Sequence, residues 1–156
     1  MTFTYTLANH GWADARISDG VSTRSMHASY LSDSLHDMAT SIRTILAGHK
    51  SSTFSFIDEP GEHRLHLQHL DDSTIQIRVE WFEDWPDNIS GAGKTVFHTT
   101  CSFDEFISVF VAPLRQIHDE IGPAEYRRRW VSHDFPTDLY REILSLIPHR
   151  NAMARD

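Results

Sequence analysis

The feature that most constrains the fold is an alternation of apolar and polar residues, repeated in four successive segments of residues 52–101. A period of two places successive side chains on opposite faces of a strand, so each segment is expected to bury one face. The third segment is the clearest, and its alternating apolar residues are Ile75, Ile77, Val79 and Trp81. Turn-forming sequences separate the segments, including Glu-Pro-Gly-Glu beginning at Glu59. The pattern predicts a meander of four antiparallel strands.

Three further strands are predicted before the meander, in residues 3–7, 12–17 and 21–30. The predicted fold class is α+β, with a mostly antiparallel sheet of six to seven strands and helices packed on one face, in the order βββαββββαα. We expect residues 1–148 to form this single domain and residues 149–156 to be a disordered tail.

The helices of this fold are predicted from apolar stripes and capping residues. The first has Ser32 or Asp33 as its N-cap and Gly48 at its C-terminal end. Ser102 and Glu105 have the spacing of a capping box, which opens the second helix directly after the meander. Shorter helical segments are predicted in the remainder of the chain.

The acidic residues are concentrated in the meander. Residues 53–93 contain nine acidic and two basic residues, in a chain whose net charge is −8. Nucleic-acid binding depends on clustered Lys and Arg, so this charge distribution disfavours a nucleic-acid partner. It favours a basic protein partner instead.

The sequence predicts a cytoplasmic protein that does not associate with a membrane. Its single cysteine, Cys101, cannot form an internal disulfide, which fits a reducing compartment. No basic residue precedes Arg16, so the N-terminal segment lacks the charged region of a signal peptide. The longest uncharged apolar stretch, residues 106–114, is far shorter than the roughly 20 residues that span a bilayer. The oligomeric state is left open.

Two motifs invite a nucleotide or metal interpretation. Residues 88–95 end in Gly-Lys-Thr like a phosphate-binding loop, but Asn88 replaces the first glycine and a strand is predicted after the lysine. His63, His66 and His69 are three residues apart, which places His66 on the opposite face of a strand from the other two. We therefore predict no cofactor and no metal.

Two other signals could indicate catalysis or phosphate binding. Cys101 ends a strand at a helix N-terminus, but His98 falls on the opposite face of that strand. The Arg127, Arg128 and Arg129 run in an acidic protein is predicted to be a solvated helix face with local ion pairs. No catalytic residue is predicted, and we expect the protein not to be an enzyme.

The best candidate for a binding site surrounds a tryptophan in an acidic loop. Trp85 follows the third strand of the meander, and tryptophan is enriched among interface residues that dominate binding. The alternative is that Trp85 folds back onto the edge of the sheet. Together with the acidic turn before the second strand, this loop predicts a partner-binding face made of Glu59, Glu62, Glu83, Asp84, Trp85 and Asp87.

Three segments of the chain resemble small uncharacterised bacterial single-domain proteins. They are a Glu-Pro-Gly-Glu turn in residues 56–62, a Trp-Phe-x-Asp-Trp strand end in residues 75–85, and Tyr-Arg-Arg-Arg-Trp in residues 125–130. This resemblance implies no activity and no catalytic residues. The size, acidity and architecture are also similar to immunity proteins of bacterial toxin systems, which block a toxin by covering it.

The leading hypothesis is a non-enzymatic protein-binding domain, an immunity-type inhibitor of a basic toxin. One alternative is a small-molecule or metal-binding domain, or an enzyme, that uses a cleft between sheet and helices near His98 and Cys101. Another is a structural subunit that associates with itself through an exposed edge or through residues 127–130.

Overall fold

The computed structural model describes residues 1–84 and 93–153, with side chains for residues 1–84 and 93–147. The strands in this part of the chain are β1 (Thr2–Leu7), β2 (Trp12–Ser18), β3 (Thr23–Ser29), β4 (Ser51–Ile57), β5 (Glu62–His69), β6 (Thr74–Phe82) and β7 (Lys94–Ser102). The helices are α1 (Ser34–Leu46), α2 (Phe103–Gln116), α3 (Pro123–Trp130) and α4 (Thr137–Met153), and a π-helical turn (Ile117–Ile121) joins α2 to α3.

The strands form two antiparallel sheets, in the orders β1-β2-β3 and β4-β5-β6-β7. The predicted α+β class, the antiparallel pairing and the four-stranded meander are confirmed. The single sheet of six to seven strands is wrong, and three α-helices rather than two follow β7. An alternating pattern shows which face of a strand is buried, but it does not show which edges of successive strands hydrogen-bond to each other.

Both sheets bury their apolar faces in one shared core with the helices. The ring of Phe3 on β1 stacks on Phe110 of α2, with ring centroids 4.5 Å apart. The ring centroids of Tyr5 on β1 and Phe56 on β4 are 5.7 Å apart, so side chains of the two sheets are in direct contact. This burial of apolar area is the main favourable contribution to folding.

The helix caps largely follow the sequence. Asp33 caps α1 by accepting a hydrogen bond from the His36 amide at 3.4 Å. Ser102 caps α2 by accepting one from the Glu105 amide at 3.2 Å. The Glu105 carboxylate pairs with the N-terminal ammonium group of Met1 at 2.5 Å, so the return bond of a capping box is replaced by an ion pair.

Helix α4 extends to Met153, beyond the point where the tail was expected to begin. In the part of the chain that the structure describes, no helix has the length and apolar character needed to cross a membrane.

Candidate functional site

Two acidic segments that are distant in sequence lie at one end of the four-stranded sheet. Glu62, the first residue of β5, is aligned with Phe82, the last residue of β6. The turn of residues 58–61 therefore lies beside residues 83–84. We call this region, with Asp58, Glu59, Glu83 and Asp84, the acidic end. Trp85 and Asp87, the other predicted contact residues of the loop, lie outside the described residues.

The exposed carboxylates of the acidic end are available to a partner. Glu59, Glu83 and Asp84 are exposed, and none of them is ion-paired with a described side chain. Lys94, exposed at the start of β7, is aligned with Trp81 near this end of the sheet. The exposed charge at this end is therefore predominantly negative.

Glu62 does not belong to the exposed face that the sequence predicted. Its side chain is only 1% exposed and is ion-paired with Arg64. The Arg64 guanidinium also lies over the Phe82 ring, 4.4 Å from its centroid. A buried carboxylate is stable only when it is paired, and Arg64 provides this partner from the same strand.

The turn of the acidic end packs tightly on the end of β6. Gly61 has a φ of 97°, as the turn chemistry requires, and the Glu59–Pro60 peptide bond is cis. A Cβ atom at Gly61 would lie 2.5 Å from the Phe82 carbonyl oxygen and 2.6 Å from the Trp81 ring. The acidic turn thus lies in close contact with the backbone and the Trp81 side chain at the end of β6.

Behind this turn lies a hydrogen-bonded pair of the partly buried Arg24 of β3 and the buried His63 of β5. The His63 side chain is 2% exposed, and its ring lies 4.6 Å from the Trp81 ring. Arg24 donates to His63 Nε2 from Nε at 3.1 Å and from Nη2 at 2.8 Å. Because both Arg24 nitrogens are donors, Nε2 must be unprotonated, which places the proton of the neutral ring on Nδ1.

The environment of His63 favours its neutral form. Burial, and then the neighbouring Arg24 guanidinium, lower the pKa of His63 from 6.5 to about 4, while Asp58 acts in the opposite direction. Asp58 Oδ2 lies 4.0 Å from Nδ1 of the ring. A buried imidazole whose acceptor nitrogen is already occupied has no lone pair for proton abstraction, so this pair is not a general base.

His27 extends the polar contacts from the pair to the surface. Its Nδ1 lies 3.4 Å from Asp58 Oδ2, and its Nε2 lies 3.5 Å from Asp14 Oδ1. His27 is about half exposed, so it lies at the rim of the acidic end. We call Arg24, His27, Asp58 and His63 the polar cluster.

The structure does not bring together the residues of the alternative cleft. His98 is exposed on the outer face of β7, whereas Cys101 is 8% exposed on the core face. Burial, and then Glu105, raise the pKa of the Cys101 thiol to about 11. A thiol in this state is a poor nucleophile and a poor metal ligand.

The three spaced histidines of β5 are divided between its two faces. His63 and His69 face the core side of β5, and His66 faces outward, where it lies 2.8 Å from Glu80. No group of three or more His, Cys, Asp or Glu within the described residues could hold a metal ion. Residue 94 begins a strand, as predicted, rather than the helix of a phosphate-binding loop.

The arginine run forms local ion pairs, as predicted. Arg128 and Arg129 both pair with Glu125 at 2.6 Å, and Arg127 lies 3.7 Å from Asp134. Trp130 is fully buried. The tryptophan of this segment is therefore not available for self-association.

Sequence reasoning missed the polar cluster, although a signal for it was present. Arg24 is in phase with Met26 and Ala28 on β3, and His63 is in phase with Leu65 on β5. Each is a polar residue at a core-facing position of an alternating pattern. Two such polar residues on different strands are expected to hydrogen-bond to each other, because burying an unpaired polar group costs free energy.

Comparisons of the chain with protein-family models, with curated proteins and with solved structures found no match.

Proposed function

We propose that the protein is a non-enzymatic protein-binding domain that captures a basic partner at the acidic end, as an immunity-type inhibitor of a basic toxin does. The observation that supports this function most is the meeting of two acidic segments, residues 58–61 and 83–84, at one end of a rigid sheet. Exposed and unpaired carboxylates attract a basic surface at long range and set the orientation of docking.

The contacts below the acidic end support a binding role rather than a catalytic one. Gly61 packs closely on Trp81, so the turn is already in contact with the end of β6 before any partner arrives. A preformed surface loses less conformational entropy on association than a mobile one. Trp85, next in the chain after Asp84, is the proposed aromatic anchor of the same face.

The test is capture of a partner from a native lysate by charge-reversal variants of the full chain. We expect Asp84→Lys combined with Trp85→Ala to lose the basic protein that the unchanged chain retains. Asp84 is exposed, and the circular dichroism spectrum and thermal midpoint of the variant should stay close to those of the unchanged chain.

Asp72→Lys is the matched control, because Asp72 is an exposed carboxylate in the β5–β6 turn at the opposite end of the same sheet. It changes the net charge as Asp84→Lys does and should retain the partner. Equal loss from Asp72→Lys, or full retention by the Asp84→Lys and Trp85→Ala variant, would contradict the proposed face.

A further inference from the structure

The polar cluster joins the two sheets at the acidic end. The strands of the two sheets belong to separate hydrogen-bonded ladders. Here β3 of the first sheet contacts the second sheet through Arg24 on His63 and through His27 near Asp58. The two Arg24 bonds, at 2.8 and 3.1 Å, are made to one ring nitrogen. This contact therefore depends on the protonation state of a single atom.

Protonation of His63 turns the attractive interaction with Arg24 into a repulsive one. A proton on Nε2 removes the acceptor, and it leaves an imidazolium facing a guanidinium across a former hydrogen bond. Asp58 lies on the Nδ1 side, 4.0 Å away, and cannot restore the lost bonds to Arg24.

The other groups around His63 do not compensate for the added charge. His27 of β3 lies beside the same Asp58 carboxylate as His63. From β6 the neighbour is the uncharged Trp81 ring, and Glu62 within β5 is already paired with Arg64. The charged form of His63 is thus favoured only when the ring becomes exposed to water.

We propose that the Arg24–His63 contact is an acid-sensitive latch, which fastens the three-stranded sheet to the acidic end at neutral pH and releases the turn of residues 58–61 when the pH falls. The latch is a property of the free chain. Its consequence, that acid weakens capture of a basic partner, rests on the proposed function.

The direction of the effect follows from the pKa of His63 in the closed and open states. The pKa is about 4 in the closed latch and is expected at the ordinary value of 6.5 when the ring is exposed. The open state therefore binds the extra proton, and it gains population as the pH falls from 6.5 towards 4. These two values correspond to a rise of roughly 20-fold in the opening constant between pH 7 and pH 5.

The test is hydrogen exchange of backbone amides in the full chain between pH 7 and pH 5, corrected for the pH dependence of intrinsic exchange. The Asp58 amide, which donates to the Gly61 carbonyl at 3.0 Å, reports on the turn. The Leu70 amide, which donates to the Thr74 carbonyl at 3.0 Å at the opposite end of the sheet, is the internal reference. The latch predicts a roughly 20-fold rise for Asp58 and little change for Leu70. A change of less than about twofold at Asp58, or an equal rise at both amides, would overturn it.

Two variants separate the latch from a general effect of acid. His63→Gln keeps an acceptor for Arg24 without a titrating ring, so exchange at Asp58 should become independent of pH. His98→Gln removes an exposed histidine from the outer face of the same sheet and should behave as the unchanged chain does.

If His63→Gln does not fold, the His63 imidazole of the unchanged chain is titrated by NMR. A pKa below about 5 supports the latch, and a pKa near 6.5 overturns it. Because exchange and titration use the free chain, failure of the latch leaves partner capture untouched. Failure of capture likewise leaves the latch untouched.

Discussion

At the scale of single residues, the character of the site is decided by a few polar groups at core-facing positions. Arg24 is in phase with the apolar residues Met26 and Ala28 on β3. His63 is in phase with Leu65 on β5. Their mutual hydrogen bonds offset part of the cost of burying them. The alternating pattern predicts the phase of each position, but the choice of partner for each polar residue is made by tertiary contacts between the two sheets.

The same limit explains why Glu62 was assigned to the exposed face. From the sequence, Glu59 and Glu62 are equivalent carboxylates of one turn. In the structure Glu62 is the first residue of β5 and is buried beside Arg64, while Glu59 stays exposed. Glu62 lies in phase with Arg64 on the outer face of β5, so the alternation of the strand does not predict that its side chain is buried.

Cys101 provides a prediction at the residue scale. A thiol pKa of about 11 leaves very little thiolate at pH 8, and the side chain is almost completely buried. We expect alkylation by iodoacetamide to be at least roughly 100-fold slower in the folded chain than in the same chain unfolded in urea. A folded-state rate within about tenfold of the unfolded rate would contradict this account and would reopen a nucleophilic role for Cys101.

At the scale of elements, the turn between β4 and β5 depends on its glycine. An alanine at Gly61 must adopt a positive φ and must also enter the space of the Phe82 carbonyl oxygen and the Trp81 ring. We expect Gly61→Ala to lower the free energy of unfolding by roughly 2–4 kcal/mol, measured by urea denaturation.

Gly20→Ala is the matched control for this substitution. Gly20 has a similar φ of 93°, but a Cβ atom there would meet no atom within 4 Å. Gly20→Ala should therefore lower the free energy of unfolding by only about 1 kcal/mol, the backbone cost of a positive φ. Equal losses of stability in the two variants would show that the turn is not packed on β6 as described.

Most individual elements could be predicted from the sequence, but their assembly could not. The strands of the meander, the Asp33 cap and the Ser102 cap follow from local periodicity and side-chain chemistry. The division into two sheets does not, because α1 separates β3 from β4 and no local pattern states whether those strands pair.

At the scale of the whole molecule, the fold collects charge at one end of a sheet. Residues 53–93 hold most of the net negative charge of the chain, and the β5–β6 register brings residues 58–61 and 83–84 to the same end. The three-stranded sheet contacts this end from behind through the polar cluster. A partner of opposite charge is the class of molecule that such a surface attracts.

The measurement that tests the proposed function most directly is the salt dependence of capture by the unchanged chain. The full chain is used to isolate native complexes at roughly 50 mM and roughly 500 mM salt, a range over which the screening length falls severalfold. The account predicts one basic protein, retained at near-equal stoichiometry at low salt and largely released at high salt. Absence of a basic protein at low salt, or retention that salt leaves unchanged, would contradict the proposal that the acidic end captures a basic partner.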